Sequence, residues 1–161
     1  MNVFSKAVDL ISRFFTVIAG VSLTFLMILT ITDVILRRFG APLVGTYEIV
    51  GLAGAVVIGF AIPRTSLLRG HIYVDILIAR FSQPVRNAFT ITTRLMGLLL
   101  FFLAGWNLFL YGWDLQKSGE VSVTLQLPFY PIAFAVGICC FVQCLVAICQ
   151  IMSIARGGYD E

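Results

Sequence analysis

The chain has 161 residues, 60% of them hydrophobic and 12% charged, with 11 basic and 8 acidic side chains and a mean hydropathy of +1.00. Soluble domains carry roughly 25% charged residues. Half that value, combined with long uncharged runs, places the chain in a bilayer and excludes a separate soluble domain of any size. The net charge of +3 is read as a topology signal rather than a nucleic-acid footprint, because no basic cluster is interleaved with aromatic residues.

The first residues, Met1 to Arg13, alternate apolar Val3, Phe4, Ala7, Val8, Leu10 and Ile11 with Lys6, Asp9 and Arg13. This pattern predicts an amphipathic lead lying at the membrane surface. The apolar run after it is longer than a signal-peptide core and is followed by no A-x-A-like site, so it reads as an uncleaved first span over 14–36. At 1.5 Å per residue, the uncharged stretch Phe14–Thr32 is long enough to cross about 30 Å of hydrocarbon. Asp33 and Arg37 sit at the i, i+4 spacing of an ion pair, and Arg37 and Arg38 are placed to snorkel to the headgroups.

Gly40, Pro42 and Gly45 mark a turn before a second span over 46–63, which Pro63 and Arg64 are expected to end. Gly51, Ala55 and Gly59 repeat every four residues along that span, and small residues at this spacing let another helix approach closely. Glu48 falls on nearly the same face, one turn earlier.

The segment after Arg64 is too short and too charged to cross. Ile72, Val74, Ile76, Leu77, Ile78 and Phe81 interleave with His71, Asp75, Arg80 and Gln83, predicting an interfacial helix over about 71–82. A third span is expected over 85–113, with Tyr111 and Trp113 at the far interface, and a loop through Asp114, Lys117, Ser118, Gly119 and Glu120. A fourth span follows over 128–154, with Gln143 near its centre facing another helix. The fold class is therefore all-α integral membrane, in one domain over 1–161. Four spans put both termini on one side with Lys6, Arg13, Arg64, Arg69, Arg80, Arg86, Arg94 and Arg156, against Arg37, Arg38 and Lys117 on the other. That bias predicts cytoplasmic termini.

Chemistry is sparse. His71 is the single histidine, which excludes a self-contained bis-histidine haem, and His71 with Asp75 falls short of a zinc ligand set. No hydrolase or zincin motif is present, so neither an enzyme nor a cofactor is expected. Cys139, Cys140, Cys144 and Cys149 form no C-x-x-C pair and read as small buried hydrophobes, and Asn107 and Gln143 as interhelical glue. Glu48 is the first candidate for ion coupling and Asp33 the second, since intramembrane acids often mark relays. Both lie near span ends with arginines close by, which favours structural or docking pairing of Glu48 with Arg37, Arg38 or a partner's cation. The basic Arg64–Arg94 connection suits anionic lipid headgroups.

The stretch Asp33–Asp75 resembles a known family. It carries D-V-x-x-R-R-F at Asp33–Phe39, Pro42, Tyr47–Glu48, an apolar helix, and R-G-H-I-x-V-D at Arg69–Asp75. In this it is similar to the small membrane subunits of TRAP transporters, the tripartite ATP-independent periplasmic systems. Many members have a tryptophan before the acidic residue, where this chain has Gly45, Thr46 and Tyr47. The resemblance implies a scaffold for a large multi-span, sodium-coupled permease subunit. That subunit takes up organic anions such as carboxylates from a periplasmic substrate-binding protein, in the bacterial inner membrane. Asp33, Arg37, Arg38, Glu48, Gly51, Ala55, Gly59, Arg69, His71 and Asp75 are then read as partner-interface or structural ion-pairing residues. Two other classes compete: a small oligomeric ion-coupled carrier working through Glu48, and a membrane redox subunit with a bound cofactor.

Overall fold

A computed structural model describes residues 3–68 and 83–155. Four helices account for nearly all of them: α1 Val3–Arg38, α2 Thr46–Leu67, α3 Gln83–Ser118 and α4 Tyr130–Ala155. All four are long and apolar enough to cross a membrane. The expected interfacial helix over 71–82 lies outside the described residues.

Three boundaries differ from the sequence expectation. The amphipathic lead is not a separate surface element, because α1 runs unbroken for 36 residues, about 54 Å. Nothing in Phe4–Phe15 breaks a helix, and Asp9 and Arg13 form an i, i+4 ion pair at 2.9 Å that supports continuation. Nor does Pro63 end α2, which continues to Leu67. A proline inside a helix removes one backbone hydrogen bond and crowds the carbonyl four residues back, yet Pro63 lies in the last turns of α2, buried, and the helix carries it. The third helix extends past Trp113 to Ser118, so Asp114, Lys117 and Ser118 are helical and not loop. Lys117 Nζ sits 5.6 Å from the Trp113 ring centroid, covering the end of the helix.

Packing follows the order α1, α2, α4, α3, with a smaller contact from α1 to α4. The helices thus stand in an open row with α1 and α3 outermost. Side-chain pairs give the directions. Phe15 meets Phe60 with ring centroids 4.7 Å apart, and Arg64 meets Asp9, so α1 and α2 are antiparallel. Gly59 packs on Val136, and Ser66 on Gln143, so α2 and α4 run parallel. A Cβ on Gly112 would come within 2.9 Å of the Phe134 ring, and one on Gly105 within 3.2 Å of Cys140 Cβ, so α3 and α4 are antiparallel.

Burial singles out α4. In its most apolar stretch 44% of residues are buried, against 6% for α1. Cys139, Cys140, Val142, Cys144, Val146 and Ala147 supply most of the core. The four cysteines are free thiols, three buried and Cys149 half-buried. On α1 the faces away from α2, including Phe14, Val17, Val21, Phe25, Ile28 and Ile31, are exposed, as are Leu95, Leu99, Leu103, Trp106 and Leu110 on α3. Such faces suit lipid or another membrane protein and not water.

Candidate functional site

The polar side chains gather at the two ends of the row. At one end the 39–45 turn and the 119–129 loop meet. The chain leaves α1 through Gly40 at φ +80°, with Gly40 N–H bonded to the Arg37 carbonyl at 3.2 Å and Ala41 N–H to the Leu36 carbonyl at 3.0 Å. This is a Schellman ending, in which a left-handed glycine lets two late carbonyls find donors. Asp33 holds the turn in place: its Oδ1 accepts the Leu43 N–H at 3.0 Å, and its Oδ2 accepts from Arg37 Nη2 at 2.7 Å. The Asp33–Arg37 pair anticipated from spacing forms, and the second bond, across ten residues, makes Asp33 a turn anchor. Arg38 is on the same end, and Val34, Ile35, Arg37, Arg38 and Phe39 line an open groove of about 680 Å³ on the outer side of α1.

Glu48 does not reach either arginine through any hydrogen bond or ion pair among the described residues. Its carboxylate gathers the 119–129 loop instead. Oε2 accepts from the Ser122 hydroxyl at 2.7 Å and the Leu125 N–H at 2.9 Å, and Oε1 accepts from the Thr124 N–H at 2.7 Å. Ser122 Oγ in turn accepts the Leu127 N–H at 3.1 Å, and Val121 pairs with Pro128 in an antiparallel bridge. The loop is therefore a compact knot whose donors converge on a single side chain. Gly45, at φ +80°, lies under Leu125, and any side chain there would overlap the leucine. The rest of this end is apolar and open: Val123 is 96% exposed, Tyr47 80% and Phe39 79%.

The small-residue stripe divides. Gly59 is buried, and a Cβ added there would come within 3.3 Å of the Val136 side chain, but one on Gly51 would meet nothing within 4 Å among the described residues. Ala55 lies between them and lines an apolar cleft of about 180 Å³ with Ile58, Gly59, Ile62, Phe101, Val136, Cys139 and Cys140. Among the described residues, only the Gly59 end of the stripe is thus in tight contact. Asn107 returns its amide to the Leu103 carbonyl on its own helix at 2.8 Å and, among the described residues, bonds to no other helix. Gln143 does cross, giving its Nε2 to Ser66 Oγ at 2.7 Å. Arg69, His71 and Asp75 lie outside the described residues.

Sequence reasoning missed three things. The Asp9–Arg64 ion pair joins residues far apart in the chain, and no local spacing announces it. The loop donors at Ser122, Thr124 and Leu125 are mostly backbone groups, which carry no residue signature. The Gly105, Gly112 and Gly137 seam did leave a signal: two glycines seven apart face the same side of α3.

Four membrane-length helices in an open row, with polar groups turned to closing the ends, define a multi-pass membrane component. The chain matches the family of tripartite ATP-independent periplasmic transporters, DctQ component, over residues 26–157. It belongs to that family and is the small permease component of a TRAP transporter. No curated protein and no solved structure matches it.

Proposed function

We propose that this chain is the non-catalytic scaffold of its transporter. It packs as a fixed element against the large, sodium-coupled permease subunit, which takes up organic anions such as carboxylates delivered by a periplasmic binding protein. The observation that carries this reading is the use of Glu48. The acid best suited to ion coupling has its oxygens committed to three hydrogen bonds with the 119–129 loop. An acid that relays ions needs a wet path and freedom to change partners. Glu48 instead holds two halves of the row together.

The open row supports the same reading. The exposed faces of α1 and α3 and the unused Gly51 end of the α2 stripe offer surface to a larger partner and to lipid. The basic bias supports an orientation with both termini in the cytoplasm of a cell with an inner membrane, and with the 39–45 turn and the 119–129 loop in the periplasm. There the exposed Phe39, Tyr47 and Val123, with Arg37 and Arg38 beside them, are where a soluble binding protein or anionic headgroups meet this subunit.

The test is affinity capture of the tagged chain from native membranes in mild detergent. The reading expects a much larger multi-span protein to co-purify in a fixed ratio. Recovery of the chain alone, or of a homo-oligomer, would favour a self-sufficient carrier and contradict it.

A further inference from the structure

The outer side of α1 changes character at its end. Val34, Ile35, Arg37, Arg38 and Phe39 line the open groove of about 680 Å³. Arg38 is exposed, as are Val34, Ile35 and Phe39. Ile28, Ile31, Ile35 and Arg38 follow one another at spacings of three, four and three, so they share one face of the helix. Val34 and Ile35 lie about 5–6 Å deeper along the axis than Arg38. The exposed Ile31 and Ile28 carry the apolar stripe further toward the middle of the span.

The charge that this groove presents is positive. Asp33 is the one acid between Thr32 and Tyr47, against Arg37 and Arg38. Its side chain is 7% exposed and committed on both oxygens, to the Leu43 N–H and to Arg37, while the Arg37 side chain is 54% exposed. A molecule approaching from outside therefore meets guanidinium groups, with the carboxylate behind one of them. The negative end of the α1 dipole lies here too. The late carbonyls of Leu36 and Arg37, however, already accept from the N–H groups of Phe39, Gly40 and Ala41.

We propose that this groove holds one phospholipid with an anionic headgroup, its phosphate on Arg38 and the outward side of Arg37, and an acyl chain along Ile35, Ile31 and Ile28. Charge complementarity selects the headgroup, since basic side chains at a membrane surface attract anionic lipids. Guanidinium forks also match the geometry of phosphate oxygens. The order of the groups selects a lipid: a basic rim above a continuous apolar wall follows phosphate and chain. A soluble acidic partner would engage the arginines and leave that wall uncovered, and a free phosphate would gain nothing from it. Which leaflet supplies the lipid rests on the orientation proposed above, which makes it the periplasmic one; the groove and its charge do not.

Native mass spectrometry tests this with the full-length chain, purified in detergent together with whatever protein accompanies it. The preparation is offered equal amounts of dioleoyl phosphatidylglycerol and dioleoyl phosphatidylcholine. Wild type is expected to prefer phosphatidylglycerol. Arg38→Gln, which leaves the Asp33–Arg37 pair in place, is expected to weaken its retention about fivefold, the share of one basic side chain, and to lower the number of tightly held lipids by one. Arg38→Lys keeps the charge and is expected to retain that lipid. Excess inorganic phosphate is expected to leave the lipid bound; displacement would assign the groove to free phosphate and overturn the lipid. Equal retention of phosphatidylglycerol by wild type and Arg38→Gln also overturns it, and if that variant then loses capture of the binding protein, the groove belongs to the soluble partner. The scaffold reading fails by a different readout, the absence of a large co-purifying protein, and the lipid count is scored in either case.

Discussion

The α1–α2 hairpin carries polar ties at its ends, the Asp9–Arg64 pair and the Asp33 bond to the 39–45 turn, with Phe15 against Phe60 between them. The α3–α4 hairpin closes along its length, through Gly105, Gly112 and Gly137 and the rings of Phe109, Phe134 and Phe141. Lipid tails are as apolar as leucine, so helices in a membrane gain little from hiding apolar surface. They associate by close packing or by polar contacts, and the two hairpins combine these differently. The difference has a structural consequence. Packing on both sides buries α4, while α1, outermost in the row, leaves its face away from α2 exposed.

Substitutions separate the two modes. The largest effect is expected where packing is tightest. A Cβ on Gly137 would come within 2.9 Å of the Phe109 ring, so Gly137→Val should lower stability by about 1–3 kcal/mol, read as a fall in Tm of the purified chain. A Tm within error of wild type would mean that α3 and α4 are not so closely apposed. Next comes the joint between the hairpins. Glu48→Gln replaces one acceptor oxygen with an NH₂ group that cannot serve the loop donors, and the 119–129 loop should loosen. Limited proteolysis between Ser118 and Tyr130 is then expected to speed up roughly tenfold, with Ser122→Ala showing a smaller increase. Equal cleavage rates would remove the knot from the account.

A smaller loss is expected in the polar hairpin. Asp9→Asn weakens a partly exposed ion-pair cluster and should cost about 1 kcal/mol, an effect that salt reduces in the wild type and not in the variant. The smallest change is expected at Gly51, where an added Cβ meets nothing within 4 Å among the described residues. Gly51→Ala should leave the isolated chain unchanged or up to about 1 kcal/mol more stable, because alanine favours the helix. If a partner helix lies there, as proposed, Gly51→Leu reduces co-purification of the large subunit without lowering Tm.

The sequence was legible where the signal was periodic or local. Uncharged runs marked the four helices, the Gly40–Gly45 turn appeared where its glycines stand, and Asp33 met Arg37 at the spacing that announced it. Helix ends were less legible. Pro63 is an ordinary stop signal, yet the helix continues past it to Leu67. Glu48 was picked out as a polar residue that needed a partner, but its arginine neighbours in sequence were poor guides. Its partners are a hydroxyl and two backbone N–H groups more than seventy residues away, and backbone donors are the same in every residue but proline. The Ser66, Gln143 and Gln150 contact was illegible for a related reason: only Gln143 stood out in an apolar run, and the other two became conspicuous through their hydrogen bonds.

The central claim is that this subunit supports transport without offering a path of its own. Reconstitution into liposomes measures it most directly. Purified chain alone, purified large subunit alone, and the two together are supplied with a sodium gradient, the loaded binding protein and a labelled carboxylate substrate. The account predicts uptake by the pair and none above empty liposomes by this chain alone. Gradient-driven uptake by the chain alone, abolished by Glu48→Gln, would contradict it.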